Sequence, residues 1–399
     1  MTLLFIGGST IFDVIIVGAR CAGASLAIFL GRLGYKVLLL DKSSKLGPTL
    51  STHIIGEVDI YKSLNINYKI ENCGSPILER FRVDVEGHIF ESDTVVSNRV
   101  ISIRRELLDS YLLQEVSKLP NIKVNLGFNV NDIIENSKGE IIGVTGKKKG
   151  CTSNQSFYGN IIVGADGRNS LISRKVSAKT TLVNKNEELG VVYAYIKGIN
   201  PMPVGTVEWY WTPNGVVIGN PIDQNMHCFA IMVPPSKFKE ICNPNGFIQQ
   251  LYQLRMLVPR IDNLKIAGKI KGIKKVNSNF KKPYGKRWVL VGDSSAFLHP
   301  IAGVGIDNAV CTAEQLALQL DLYLKEKQSW EESMSIYQNL RDNRILPQFY
   351  SSVSTQNFQK TNINSVQHEL TSMLCTFPSL AKKIALHSNQ IMTMLQEGG

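Results

Sequence analysis

The stretch that most limits what this chain can become lies near its start. An apolar, β-branched run at 12–17 breaks at Gly18-Ala19-Arg20-Cys21-Ala22-Gly23, and small and apolar residues then recur at helical spacing over 21–33. A second apolar run at 36–40 ends in an acid, Asp41. The switch of period from two to 3.6 and back reads as strand, glycine turn, helix, strand, a βαβ unit. Parallel strands need a crossover between them, so this unit commits the chain to a sheet with helices packed on it. The turn is a dinucleotide fingerprint with one departure, because the middle glycine that lets backbone approach a pyrophosphate is Arg20. Cys21, Ala22 and Gly23 open a helix whose N-terminal amides and dipole suit a pyrophosphate. Asp41, 23 residues after Gly18 and followed by Lys42, stands where an acid binds ribose hydroxyls. Arg20 has two readings, a group facing the phosphates or a solvent-facing turn residue.

Two later stretches repeat the pattern of strand and glycine-acid turn. Residues 161–163 run into Gly164-Ala165-Asp166-Gly167, and 288–291 run into Gly292-Asp293 ahead of a helix at 305–324. Residues 105–119 read as an amphipathic helix closed by Pro120. Between these pieces, 76–99 and 176–284 show alternation and Pro/Gly/Asn turns that predict antiparallel strands. From 329 onwards the sequence is helical and polar, with Pro347 and Pro378 expected as breaks. A chain of 399 residues exceeds what one core organises. The expected architecture is therefore α/β: a discontinuous Rossmann-like domain from 12–75, 100–175 and 285–325, an inserted antiparallel sheet domain from 76–99 and 176–284, and a helical segment over 326–399.

The net charge of +11 raises the question of nucleic acid. The basic residues are scattered, however, and crowd only at Lys147-Lys148-Lys149, a solvated hairpin tip, and across 265–287. No stripe or reader motif accompanies them, which argues against nucleic acid. The second crowd reads first as a plain solvated face, and leaves open a nicotinamide phosphate, an acidic carrier protein holding the substrate, or peripheral contact with an anionic membrane. Cys21, Cys73, Cys151, Cys228, Cys242, Cys311 and Cys375 make an odd set without a Cys-x-x-Cys pair, which fits neither a disulfide framework nor a zinc site and points to the cytoplasm. No metal cluster is expected. No stretch approaches a membrane span, and residues 1–10 lack the basic start of a signal peptide.

Taken in order, Gly18 to Gly23, Gly164-Ala165-Asp166-Gly167-Arg168-Asn169-Ser170, and Gly292-Asp293 with Pro300 and Gly303-Val304-Gly305 resemble the flavoprotein monooxygenase family built on the p-hydroxybenzoate hydroxylase fold. Arg105-Glu106-Leu107-Leu108-Asp109 is similar to that family's Arg-x-x-Leu-Asp helix start, and the resemblance covers roughly the first 350 residues. It implies FAD as cofactor and NAD(P)H as transient reductant. It further implies that Asp166 and Gly167 sit near the pyrophosphate and the nicotinamide approach, that Asp293 binds the ribityl or ribose, that Arg105 reaches the cofactor, and that Val130 lies by the adenine. Pro300 would border the reactive face of the flavin. The physics agrees at the last turn: Gly303, Val304, Gly305 and Ile306 place backbone amides at a helix start, where the flavin gains negative charge on reduction.

Thr49-Leu50-Ser51-Thr52-His53 is similar to a Thr-Leu-Ser-Thr-His segment of FAD oxidoreductases whose first motif also reads Gly-Ala-Arg, although Pro48 stands where that subgroup often has Asp. The segment implies that Ser51 and Thr52 line the isoalloxazine. His53 and His299 are candidates to orient substrate or move a proton, against the bland reading of hydrogen-bonded structural histidines. Trp209 and Trp211 fall on one face of a strand and are candidate substrate-facing residues, with sheet packing as the competing role. Their spacing to Pro213 is one residue short of the Trp-x-Trp-x-Ile-Pro of flavin halogenases. The function expected is hydroxylation or epoxidation of a small organic substrate, natural products among the candidates, with NAD(P)H and O2. A flavin-dependent alkene reductase of geranylgeranyl-reductase type and a non-catalytic FAD-binding protein are the alternatives.

Overall fold

The computed structural model describes residues 11–85, 87–93, 100–184 and 189–360. The apolar runs at 12–17 and 36–40 form the strands Ile11–Val17 and Val37–Asp41, which pair in parallel inside an eight-stranded sheet. Near-continuous burial of both strands is what a parallel sheet covered on both faces demands. Gln155–Gly164 lies on the other side of Ile11–Val17, and Trp288–Leu290 lies beyond it, both parallel. Register brings the strand ends level, with Val17 opposite both Leu40 and Gly164, and Gly164 opposite Leu290. All the glycine-acid turns thus leave the sheet at one edge.

One face of this sheet is covered by three helices, Cys21–Arg32, Arg105–Val116 and Gly305–Leu324, which share a core with Val14, Ile16, Leu39 and Val163. Leu26, Ile28 and Leu30 are fully buried there, each contributing about 1.5–3 kcal/mol relative to exposure. The hairpin of Phe128–Glu135 with Ile141–Lys148 helps cover the opposite face, where Phe128 and Phe157 meet edge to face.

A second sheet has seven strands in the spatial order Ile261–Ile273, Gly190–Ile199, Met226–Val233, Gly215–Ile222, Thr206–Thr212, Arg80–Val85, His88–Asp93. Its central hairpin turns at Gln224 and Asn225, both at positive φ, the handedness that matches strand twist in a two-residue turn. Two expectations need correction here. Thr206–Thr212 pairs in parallel with Arg80–Val85, because the two segments come from distant parts of the chain and no hairpin dictates their direction. The stretch 176–284 also contains helices at Phe238–Ile241 and Pro244–Tyr252, the second started by the Asn243 side chain accepting from the Gly246 amide and packed on the sheet's back face.

The third correction concerns Pro347, which does not break the last described helix, Trp330–Lys360. Ile345 and Phe349, on either side of it, are buried against Phe280, Ala296 and Leu298. That packing offsets the missing backbone donor. The same helix anchors the Gly292–Ala302 region: Tyr337 donates to the Leu290 carbonyl at 2.9 Å, and the buried Arg341 donates to the carbonyls of Lys281 at 2.8 Å and Ser295 at 3.4 Å. Pro378 and Cys375 lie outside the described residues. Among the described residues, no helix is long and apolar enough to cross a membrane.

Candidate active site

A cleft of about 810 Å³ runs along the carboxyl ends of the parallel strands and out to the edge strand of the second sheet. This is where an open α/β sheet binds ligands. The turn after Ile11–Val17 forms one wall. Gly18 sits at φ +108, and a Cβ there would lie 2.3 Å from the Ala165 carbonyl; one on Gly23 would lie 1.8 Å from the Gly18 carbonyl. The two glycines are therefore dictated by packing of the turn against the neighbouring strand end. Arg20, in the middle position, turns its guanidinium to Asp109 at 2.6 Å and to the Gly47 carbonyl at 3.0 Å. It borders the cleft while being tied to protein, so neither of its two sequence readings describes it fully.

Asp109 is the hub of this wall. Its side chain is fully buried and also meets Arg105 at 3.3 Å and the Cys21 thiol at 3.3 Å, while Arg105 reaches Cys21 Sγ at 3.1 Å. Burial pushes the Cys21 thiol up to about 12, with Arg105 pulling the other way, so the thiol stays protonated. Arg105 Nε is buried and has no hydrogen-bond partner among the described residues.

The three acids of the motifs stand in different situations. Asp41 accepts from the amides of Ala19 at 2.9 Å and Ser43 at 2.8 Å, which ties the second strand end to the glycine turn. Asp166 accepts from the Ser170 hydroxyl at 2.5 Å and from the amides of Leu171 at 2.6 Å and Ile172 at 3.3 Å, capping the short helix Leu171–Lys175. Burial raises its carboxyl above the usual range despite these bonds. Asp293 accepts no hydrogen bond among the described residues, and it lines the cleft with Arg105 and Arg168 as its charged neighbours. Burial pushes it up to about 6, the two arginines opposing.

Further along, Gly303 and Gly305 border the cleft at the start of Gly305–Leu324, and a Cβ on either would meet nothing within 4 Å. No side chain caps that helix, so its first-turn amides are left for water or a ligand. Pro300 and Ile306 also line the cleft; Val304 instead packs with Ala302 against the Ile345 and Phe349 cluster. Lys42, Val130, Ser51, Thr52 and Gly167 are on the lining as well, together with Cys21 and Ala22.

The histidines are more constrained. His299 is fully buried, donates Nε2–H to the Leu189 carbonyl at 3.0 Å and accepts the Ile301 amide on Nδ1 at 3.1 Å. Both ring nitrogens are committed, and burial lowers it to about 4, so it is a neutral structural residue although it borders the cleft. His53 is also fully buried, at φ +69, and lies behind the lining residues Ser51 and Thr52. Trp209 and Trp211 lie 6.2 Å apart between centroids with their rings tilted by 34°, and pack on the front face of the second sheet, in the same cluster as the cleft residues Leu50, Phe297 and Ile273, without lining the cleft themselves.

Sequence reasoning missed the role of Asp109 as hub and the cleft positions of Arg168, Lys271 and Ile273. Arg168 follows the Asp166-Gly167 pair directly, and that adjacency was the available signal. Lys271 and Ile273 come from an edge strand that only folding brings to the cleft. Among the described residues, no three His, Cys, Asp or Glu side chains group as a metal site.

The family described as FAD binding domain matches residues 12–345 of this chain. The chain is 26% identical over 307 residues to digeranylgeranylglycerophospholipid reductase of Methanocella arvoryzae, a match spanning 75% of this chain and 74% of that protein. It is 22% identical over 327 residues to 3-(3-hydroxy-phenyl)propionate/3-hydroxycinnamic acid hydroxylase of Paraburkholderia xenovorans, covering 79% of this chain and 50% of the relative's length. Among solved structures, the myxobacterial chondrochloren halogenase CndH superposes with a TM-score of 0.78 at 16% identity, over 94% of this chain and 89% of that one. At that identity the likeness is one of fold.

Proposed function

This chain belongs to the FAD binding domain family and is a flavin-dependent oxidoreductase, and from that premise we propose that it is a monooxygenase using NAD(P)H and O2 to hydroxylate or epoxidise a small organic substrate. FAD fits the cleft on three observations: the buried Arg105 Nε without a partner, the Asp293 carboxylate without a donor, and the bare glycines at an uncapped helix start. Its volume, about 810 Å³, lies within the ordinary range of roughly 300–1,000 Å³ for ligand sites. In this reading Gly18, Arg20, Cys21, Ala22, Gly23, Asp41 and Lys42 hold the adenosine and pyrophosphate end with Val130, Asp166 and Gly167. Arg105, Asp293, Ser51, Thr52, Pro300 and the 303–306 turn hold the other end.

When bound, the flavin supplies hydride acceptance and oxygen activation. The protein's part is to bind, orient and exclude water. Amides at the Gly305 helix start stabilise negative charge developing in front of them. On the second-sheet side the cleft is lined by Leu50, Phe297 and Ile273, which pack on the apolar cluster of Tyr193, Ala230, Ile218 and Trp209 behind them, and in this reading the substrate is held dry against those three lining residues. The single observation that carries the reading is that one cleft joins the dinucleotide turns to the edge of that sheet at Lys271, Gly272 and Ile273. The division of labour between a nucleotide domain (12–75, 100–175, 285–325) and a substrate domain (76–99, 176–284) is part of the proposal. So is a cytoplasmic location, supported by six free cysteines among the described residues.

The test is a visible spectrum of the purified protein, then NAD(P)H consumption in air and under nitrogen with aromatic, polyketide and isoprenoid substrates. A monooxygenase consumes the nicotinamide with substrate in air and its product gains one oxygen atom. A second reading is favoured by one observation: the match to the phospholipid reductase spans 74% of that protein, against half of the hydroxylase. An alkene reductase would turn over without oxygen and give a product two hydrogens heavier. A colourless protein that refuses FAD would defeat both.

A further inference from the structure

The hydrogen bonds around His53 do not balance while its ring is neutral. Nδ1 lies 2.9 Å from the Ser51 carbonyl oxygen, Nε2 lies 2.8 Å from the Tyr195 hydroxyl, and that hydroxyl lies 3.2 Å from a carboxylate oxygen of Glu106. A carbonyl only accepts, so the ring proton belongs on Nδ1, Nε2 accepts from Tyr195, and the single hydroxyl proton is used there. Tyr195 and Glu106 then meet lone pair to lone pair across the longest of the three contacts. The other tautomer fills that contact and lets Nδ1 accept the Cys228 thiol at 3.4 Å, but it still sets the Nδ1 lone pair 2.9 Å from the Ser51 carbonyl oxygen. One added proton completes every link: Nδ1–H to Ser51, Nε2–H to Tyr195, and Tyr195 O–H to Glu106.

These contacts form a path from outside to the wall of the cleft. Glu106 keeps 21% of its side chain exposed and pairs with Arg104 at 3.1 Å, whereas His53 is fully buried directly behind Ser51 and Thr52. The groups facing the imidazole are Tyr193, Tyr195 and Cys228 from the sheet, Arg104 and Arg105 from the helix start, and Ser51 from its own segment, with Glu106 one step further out on Tyr195. Burial first, then the Arg105 charge, lowers the ring to about 3, so it rests neutral and the path rests one proton short. Arg105 also lines the cleft, so an anion that pairs with it there removes part of what keeps the ring neutral.

Resting on the reading that FAD occupies the cleft, we propose that Glu106, Tyr195 and His53 are a proton-uptake chain that charges His53 when negative charge enters beside Arg105. A solvent proton joins the Glu106 carboxylate, passes to the Tyr195 oxygen as the Tyr195 proton moves to His53 Nε2, and leaves Glu106 ionised again. One proton is gained from solvent and no other bond or electron changes place.

The test uses protein labelled with 15N at histidine, titrated by NMR with and without FAD, and calorimetry of FAD binding in two buffers of different ionisation heat. The His53 midpoint should rise by about 1–3 pH units on FAD binding, the range for a charge change at short distance. At about pH 5, where a midpoint lifted by that much from about 3 changes the charge of the ring, FAD binding should be accompanied by proton uptake that is diminished in Tyr195→Phe and Glu106→Gln. An unchanged His53 midpoint in the FAD complex, or uptake equal in wild type and both variants, overturns the chain while leaving FAD binding intact. Should Tyr195→Phe fail to fold, the wild-type NMR titration decides alone. Absence of any FAD binding, seen as no heat and no visible spectrum, overturns the flavin reading together with it.

Discussion

Replacing Asp109 with alanine strands two guanidiniums at once. Asp109 is fully buried and Arg105 is 11% exposed, so their pair is a buried one, and removing one partner of such a pair costs about 3–5 kcal/mol. Arg20 is 31% exposed and water recovers much of its loss, which places the sum near the lower end, about 3 kcal/mol. With an unfolding entropy of about 2.1 cal/mol/K per residue, the 399-residue chain loses about 1.2 °C of Tm per kcal/mol, so Asp109→Ala should melt roughly 3–4 °C lower. Asp109→Asn keeps the shape and one acceptor for Arg20 but not the charge, and should fall between the two. In the proposed binding mode FAD brings phosphate charge into the cleft that both arginines border, so the deficit should narrow when FAD is added. Scanning calorimetry of the three proteins with and without FAD reads all of this. An Asp109→Ala protein melting within about 1 °C of wild type, or a deficit that widens with FAD, would refute the account of Asp109 as the hub.

Asp293 is raised in the fold to about 6 from an ordinary 3.8, so the folded state holds its proton more tightly. Its contribution to stability is complete below the ordinary value and is lost as pH rises through 6. Asp293→Asn should therefore melt higher than wild type at pH 8 in FAD-free protein, the difference vanishing towards pH 4, while binding FAD more weakly; Tm against pH checks the sign. Arg105→Gln removes a charged donor from the proposed cofactor site and should weaken FAD about 10- to 100-fold, the equivalent of one charge-assisted hydrogen bond, as read by titration of flavin fluorescence. Pro347→Ala restores a backbone donor inside the Trp330–Lys360 helix and should raise Tm by about 2 °C; a loss of stability there would show that the proline is held by something other than tolerance.

The α/β class and the opening βαβ unit were legible because burial on both faces writes itself as uninterrupted apolar residues, and because the 18–23 turn admits no Cβ at Gly18 or Gly23. The helix expected at 305–324 is the Gly305–Leu324 helix, its start marked by glycine and its interior by apolar spacing. Direction of pairing was not legible: nothing local tells Thr206–Thr212 that its partner will be Arg80–Val85, from more than a hundred residues earlier. Pro347 misled because local propensity cannot see Phe280 and Leu298 waiting on either side. At the candidate site the glycine turns could be read and their common edge inferred, since chain order and strand position determine them. The Arg20, Asp109, Arg105 and Cys21 cluster could not, because it joins groups 84 to 89 residues apart whose geometry exists only after folding. The histidines were undecidable from sequence, as their roles depend on which carbonyl or hydroxyl each ring nitrogen meets.

The way Trp330–Lys360 braces the turn after Asp293 bears on how this protein is made. The strand Ile11–Val17 is made well before Trp288–Leu290, which lies beyond Gln155–Gly164 in the same sheet, and before the Arg341 and Tyr337 anchors, which come some three hundred residues later. At about 5–20 residues per second, roughly 15–70 s separate the two ends of that assembly. During translation the half-built parallel sheet carries open edges and uncovered apolar helices, a state that invites chaperone capture, and flavin insertion belongs after synthesis rather than during it.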